Sequence, residues 1–215
     1  MEGKMLYSGK DLRKLIIPLI IEQILAIAVG MADTIMVSAA GEAAVSGVSL
    51  VDTVNILLIN VFSALATGGA VVSGHFLGKK KREDACKSAW QILLFATLLA
   101  FVISVIFITA HDPLLRLMFG KIEDDVMKAS KTYLIITTYS FVALAIYNSC
   151  AALFRAMNES KVTMWVSLLM NVINVVGNAI CIYGLHMGVA GVAIPTTISR
   201  YVAAVVIFLL MFQTK

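Results

Sequence analysis

Six stretches of this sequence, each long enough to cross a bilayer, carry almost no charge: residues 15–38, 49–77, 89–110, 133–154, 164–185 and 189–212. A helix needs about 20 mostly apolar residues to cross a hydrocarbon core of about 30 Å. The expected fold class is therefore all-α, a polytopic membrane bundle of six transmembrane helices that forms a single unit over residues 1–215. Composition agrees, with 60% hydrophobic and 14% charged residues, whereas soluble proteins carry about 25% charged residues. The first stretch is too long, and too interrupted by Glu22 and Asp33, for a cleaved signal peptide. Cys86, Cys150 and Cys181 stand at unrelated spacings and indicate neither a disulfide framework nor a metal site.

Orientation follows from where the basic residues fall. Lys4, Lys10, Arg13, Lys14, Lys79, Lys80, Lys81, Arg82, Lys87, Arg155, Lys161 and Lys215 share one side, against Arg116, Lys121, Lys128 and Lys131 on the other. This predicts a multi-pass protein of the cell membrane with both termini cytoplasmic, in contact with membrane lipids and not with nucleic acid. The Lys79–Arg82 run reads as a topology anchor in preference to a lipid or regulatory site. The connection from His111 to Thr132 is amphiphilic and is expected to hold a short helix at the outer interface.

Charged groups at bilayer depth cost at least about 2.5–3.5 kcal/mol on insertion scales, so each needs a reason to be there. Four stand out: Glu22, Asp33, Asp52 and Arg200. Glu22 and Asp33 are eleven residues apart, which returns them to one helix face about 16 Å apart along the axis. Pro18 removes a backbone donor below Glu22 and should bend the first helix. Gly30, one turn before Asp33, permits close backbone approach. Asp33 is the residue expected to carry function, because a membrane carboxylate can exchange a proton for a cation; it is also the one candidate ligand for a metal ion, Na+. Asp52, with Asn55 one turn on, is expected to be solvated at a cavity mouth. Glu22 is left between cavity lining and a pair with another helix, and Arg200 is expected to meet phosphate or a partner carboxylate.

The fifth span repeats Ser167, Asn171, Asn174 and Asn178 on one helical stripe. Carboxamide oxygens with one carboxylate suit a monovalent cation or a proton-responsive network; the alternative is that these amides only hold helices together, at about 0.6–2 kcal/mol each. In the fourth span Tyr133, Thr137, Ser140 and Tyr147 form a mixed aromatic and hydroxyl stripe that could line a cavity for flat organic cations, or serve as an ordinary helix interface. No enzyme is indicated: His75, His111 and His186 lie far apart, and the sequence has no Gly-Lys-Ser/Thr phosphate loop. No cofactor is expected, and any transport must draw on a gradient or a partner.

Four segments carry a resemblance to a known family: PLIIEQILAIAVGMADTIMVS from Pro18 to Ser38, then SGHFLGKKKREDA, LFRAMNESKVTM and GVAGVAIPTTISR. Their order and spacing resemble the multidrug and toxic compound extrusion (MATE) transporters across nearly the whole chain. The resemblance implies one lobe of a twelve-helix, cation-coupled antiporter that exports amphipathic or cationic organic compounds, with H+ or Na+ as the coupling ion. It puts the cation site of the amino-terminal lobe on Asp33, Asn174, Asn178 and Thr196, and matches Pro18 to a proline associated with bending of the first helix. Two positions depart from the pattern. Asn178 stands where some members carry Asp, and Pro195, where alanine is common, should distort the last helix near Thr196. The partners implied are organic cations or drugs and a second six-helix lobe, supplied by a missing carboxy-terminal half or by a second copy; a fragment is the expected reading. The alternatives are a lipid-linked saccharide flippase of a related family and a non-transporting membrane subunit.

Overall fold

The computed structural model describes residues 9–213, and these are helical almost throughout. The helices are α1 (Gly9–Ser38), α2 (Glu42–Gly78), α3 (Arg82–Thr109), α4 (His111–Phe119), α5 (Asp124–Thr138), α6 (Phe141–Ala156), α7 (Ser160–Ala179) and α8 (Ala190–Gln213), with a π-helical turn at Ile180–Gly184 after α7. Five helices are long and apolar enough to span a membrane alone, and α5 with α6 makes a sixth span bent by 52°. The chain is thus a multi-pass membrane protein. Of the basic residues used to orient it, Lys4 and Lys215 lie outside the described residues, as does the side chain of Lys10.

α6 is the axle of the bundle. Twelve of its sixteen residues are buried, because α2, α3 and α8 pack around it. Small residues let them approach: Ala96, Ala100 and Ala145 are fully buried beside Phe62 and Phe141, the packing expected where lipid removes any hydrophobic drive between helices. Gly47 is the tightest of these contacts between α2 and α5, since a Cβ there would lie 2.7 Å from Cβ of Ala129. α1 is peripheral and rests on α7 and, more lightly, on α2. Ile24, Ile27, Met31 and Ile35 point outward at 60–65% exposure, as a lipid-facing stripe must.

The sequence predicts one straight fourth span over residues 133–154. Instead α5 begins at Asp124, so the connection between α3 and this span holds only the short helix α4, and the span breaks at Tyr139 and Ser140. An open break at bilayer depth survives only if its carbonyls find partners inside the protein. Here they do. Thr197 Oγ1 donates to the Ile136 carbonyl at 3.0 Å, Ser140 Oγ to that of Thr137 at 2.6 Å, Ser104 Oγ to that of Thr138 at 3.3 Å and the Tyr201 hydroxyl to that of Tyr139 at 2.7 Å. Three of those four donors belong to α3 and α8.

Two prolines sit beyond the first turn of a helix. α1 runs without interruption through Pro18 and α8 through Pro195. The Pro195 ring lies against Gly177, where a Cβ would come within 2.6 Å of it; its effect is a close α7–α8 contact one residue from Thr196, and α8 is not broken there.

Candidate functional site

A cleft of about 480 Å³ opens between α1, α2 and the helices α5 to α8, and polar side chains gather at two levels along it. The upper level is built from both ends of the sequence. Asp33, half-buried on α1, accepts a 2.6 Å hydrogen bond at Oδ1 from Nδ2 of Asn178 on α7. The same amide nitrogen lies 3.3 Å from Oδ1 of Asn174, whose own Nδ2 donates to Thr196 Oγ1 at 2.8 Å. The Thr196 hydroxyl donates in turn to the Val192 carbonyl at 2.8 Å. Asp33, Asn178, Asn174 and Thr196 therefore form one continuous chain across three helices. Asn178 Oδ1 is buried without a hydrogen-bond partner, so a neutral oxygen with free lone pairs stands beside the carboxylate.

Asp52 belongs to the same level, where it is half-buried and lines the cleft. Its Oδ1 accepts from the buried Tyr133 hydroxyl at 2.9 Å and from Asn55 Nδ2 at 3.3 Å. Arg200 also faces this cleft, donating from Nη1 to Ser140 Oγ at 2.9 Å, at the break of the fourth span. Its charge acts on Asp33 and Asp52 alike. Among the described residues neither carboxylate forms an ion pair with it at 4 Å or less. In place of the expected partner carboxylate, the guanidinium meets a hydroxyl.

The lower level centres on Glu22. Oε1 lies 3.4 Å from the Tyr147 hydroxyl of α6, and Oε2 lies 3.3 Å from Thr163 Oγ1 of α7, so Glu22 both lines the cleft and bonds to other helices. Arg155, Ser167 and Asn171 share the lining. Thr137, expected to line the cavity, does not. It is fully buried and its hydroxyl turns back to the Tyr133 carbonyl at 2.8 Å, because a helical threonine with no partner across the interface satisfies itself on the preceding turn. Gly30 lines the open cleft and has no atom within 4 Å of a Cβ position, so it is not a close-approach site.

Sequence reasoning placed Ser140 on a polar stripe but did not pair it with Arg200, and it underweighted Asp52 and Arg200. The Asp52 and Asn55 spacing of three was the available signal; nothing local marks the contact between Ser140 and Arg200, 60 residues apart.

This arrangement joins an ionisable group, neutral oxygens and a counter-charge across the peripheral helix α1 and the helices α7 and α8.

Comparison with known proteins agrees in extent and in fold. Residues 18–180 match the MatE family. The chain is 31% identical over 199 residues to the uncharacterized transporter YisQ of Bacillus subtilis (strain 168), covering 90% of this chain and 43% of that protein. It is 26% identical over 210 residues to the probable multidrug resistance protein NorM of Thermotoga maritima, covering 96% and 45%. A solved outward-facing structure of a multidrug resistance MATE family transporter of the MOP superfamily superposes with a TM-score of 0.88 at 25% identity, covering 94% of this chain and 45% of that one. The chain spans about half the length of the curated relatives it matches.

Proposed function

The chain belongs to the MatE family, and from that premise we propose that it forms one six-span lobe of a cation-coupled antiporter that exports amphipathic organic cations. The observation that carries this reading is Asp33: a half-buried carboxylate on the peripheral helix, facing a cleft and held to α7 by a single amide. A proton or Na+ at Asp33 displaces the Asn178 amide, and this loosens α1 from α7. Asp33 and the free Asn178 oxygen fit Na+, which takes hard oxygen donors; the carboxylate alone suffices for H+.

Charge supplies the exchange. The cleft is lined by three carboxylates, Glu22, Asp33 and Asp52, and by two guanidinium groups, Arg155 and Arg200. Its formal excess of one negative charge suits a cationic cargo, and neutralising Asp33 removes that excess. Ion and cargo thereby oppose each other, which is all that coupling requires. A lipid-linked saccharide with its phosphates would need more guanidinium groups than these two. The second lobe completes the cavity. The basic asymmetry supports a cytoplasmic location for both termini of this lobe in the cell membrane.

The test is gradient-driven ethidium efflux from vesicles holding this lobe together with its second lobe. Asp33→Asn is expected to abolish coupled efflux while leaving the protein folded. Undiminished efflux in the variant overturns the reading.

A further inference from the structure

The basic end of the bundle holds a second pocket that shares no lining residue with the polar cleft. It measures about 210 Å³, lies among the ends of α2, α6 and α8 and the start of α3, and has apolar walls that include Leu77, Trp90, Leu93 and Phe208. One polar group interrupts them. Ser73 is 2% exposed and its hydroxyl has no hydrogen-bond partner, although a helical serine can usually satisfy itself on the turn before. A buried donor left in this way calls for an acceptor from outside the chain.

Above the pocket α2 is followed by four consecutive exposed cations, Lys79, Lys80 and Lys81 in the turn and Arg82 at the start of α3. Of the two acidic residues that follow, Glu83 is already held by Lys87 at 2.7 Å, so the turn presents net positive charge at the membrane surface. Ser73 lies six residues before Lys79, about 9 Å along the helix axis. That offset is close to the thickness of one interfacial layer, about 5–8 Å, across which a phospholipid carries its phosphate outside and its ester carbonyls inside.

We propose that this pocket binds an anionic glycerophospholipid, with one acyl chain in the apolar slot, an ester carbonyl on the Ser73 hydroxyl and the phosphate on the Lys79–Arg82 turn. Three features select this ligand: the slot takes hydrocarbon, the hydroxyl needs an acceptor and the turn attracts an anion. The inference is independent of the transport reading.

Trp90 allows a direct test, since the chain has one other tryptophan, Trp165, 63% exposed near the start of α7 at the same end of the bundle. The Trp165→Phe chain is placed in vesicles of phosphatidylcholine containing acyl-brominated phosphatidylglycerol, and in the converse mixture with brominated phosphatidylcholine. Brominated phosphatidylglycerol is expected to quench Trp90 at a mole fraction about tenfold lower than brominated phosphatidylcholine does. The difference should vanish when Lys79, Lys80 and Lys81 are all replaced by Gln. Trp165, read in the Trp90→Phe chain, should show no preference. Equal quenching of Trp90 by both lipids, quenching by neither because protein fills the pocket, or a preference that survives loss of the lysines would each overturn the proposal.

Discussion

Arg200 of α8 and Ser140 meet at 2.9 Å where the fourth span breaks, and the charge on that guanidinium also acts on Asp33 and Asp52. One side chain thus touches the joint of a broken helix and lines the cleft of the candidate cation site. Arg200→Gln should destabilise the protein by about 1–3 kcal/mol, the cost of leaving buried polar partners unmet, and Asp52→Asn in the same chain should recover part of the loss. Thermal unfolding of the two single variants and the double variant in detergent measures the coupling; strictly additive losses would disprove it.

The amide of Asn178 is expected to matter through its donor to Asp33 and, for Na+, through its free oxygen. Asn178→Leu keeps the volume on α7 and removes the 2.6 Å hydrogen bond to Asp33. A hydrogen bond to a charged group contributes about 1.5–3 kcal/mol, so the ion dependence of efflux should shift by about tenfold or more while the fold persists. Initial efflux rates across a series of Na+ concentrations and pH values supply the readout. Asn178→Ser should restore part of the dependence.

Gly177 and Pro195 form a single packing unit. A methyl group on Gly177 would stand 2.6 Å from Cβ of Pro195, and the 2.8 Å contact between Asn174 and Thr196 lies beside it. Gly177→Ala is expected to cost about 1–3 kcal/mol by overpacking. Removing the ring with Pro195→Ala should relieve most of that in the double variant, as followed by thermal stability.

Outside the membrane, Lys131 on α5 pairs with Asp112 on α4 and holds the Asp112 carboxyl below the usual carboxylate range, helped by the nearby charges of His111 and Arg116. A carboxyl depressed in the folded state contributes stability at pH values above its unfolded pKa, and loses it as pH falls through the folded pKa. Hydrogen exchange at the α4 amides should therefore be constant near neutrality and quicken relative to the spans only below about pH 4. Asp112→Asn should abolish that acid response.

The number and rough limits of the spans were legible because lipid tolerates few ways of hiding a backbone, and each leaves a long apolar run. The juxtaposition of Asp33 with Asn174, Asn178 and Thr196 could be anticipated only where a helical stripe met a family resemblance; periodicity alone could not choose between an ion site and helix glue. The break at Tyr139 and Ser140 was hidden because neither proline nor glycine marks it and three of its carbonyl partners lie 34, 61 and 62 residues away. The bond between Asp52 and Tyr133 spans 81 residues, and those of Glu22 span 125 and 141. Thr137 misled for the opposite reason: its hydroxyl serves its own helix.

The kinked fourth span also has a timetable written into it. When α5 and α6 enter the bilayer, Ser104 has already been made, but Thr197 and Tyr201 have yet to leave the ribosome. At about 5–20 residues per second, the 60 or so residues between the break and its late donors take about 3–12 s to synthesise. For that interval the carbonyls of Ile136 and Tyr139 lack their final donors, so insertion of the last helix is the event that completes a helix made well before it.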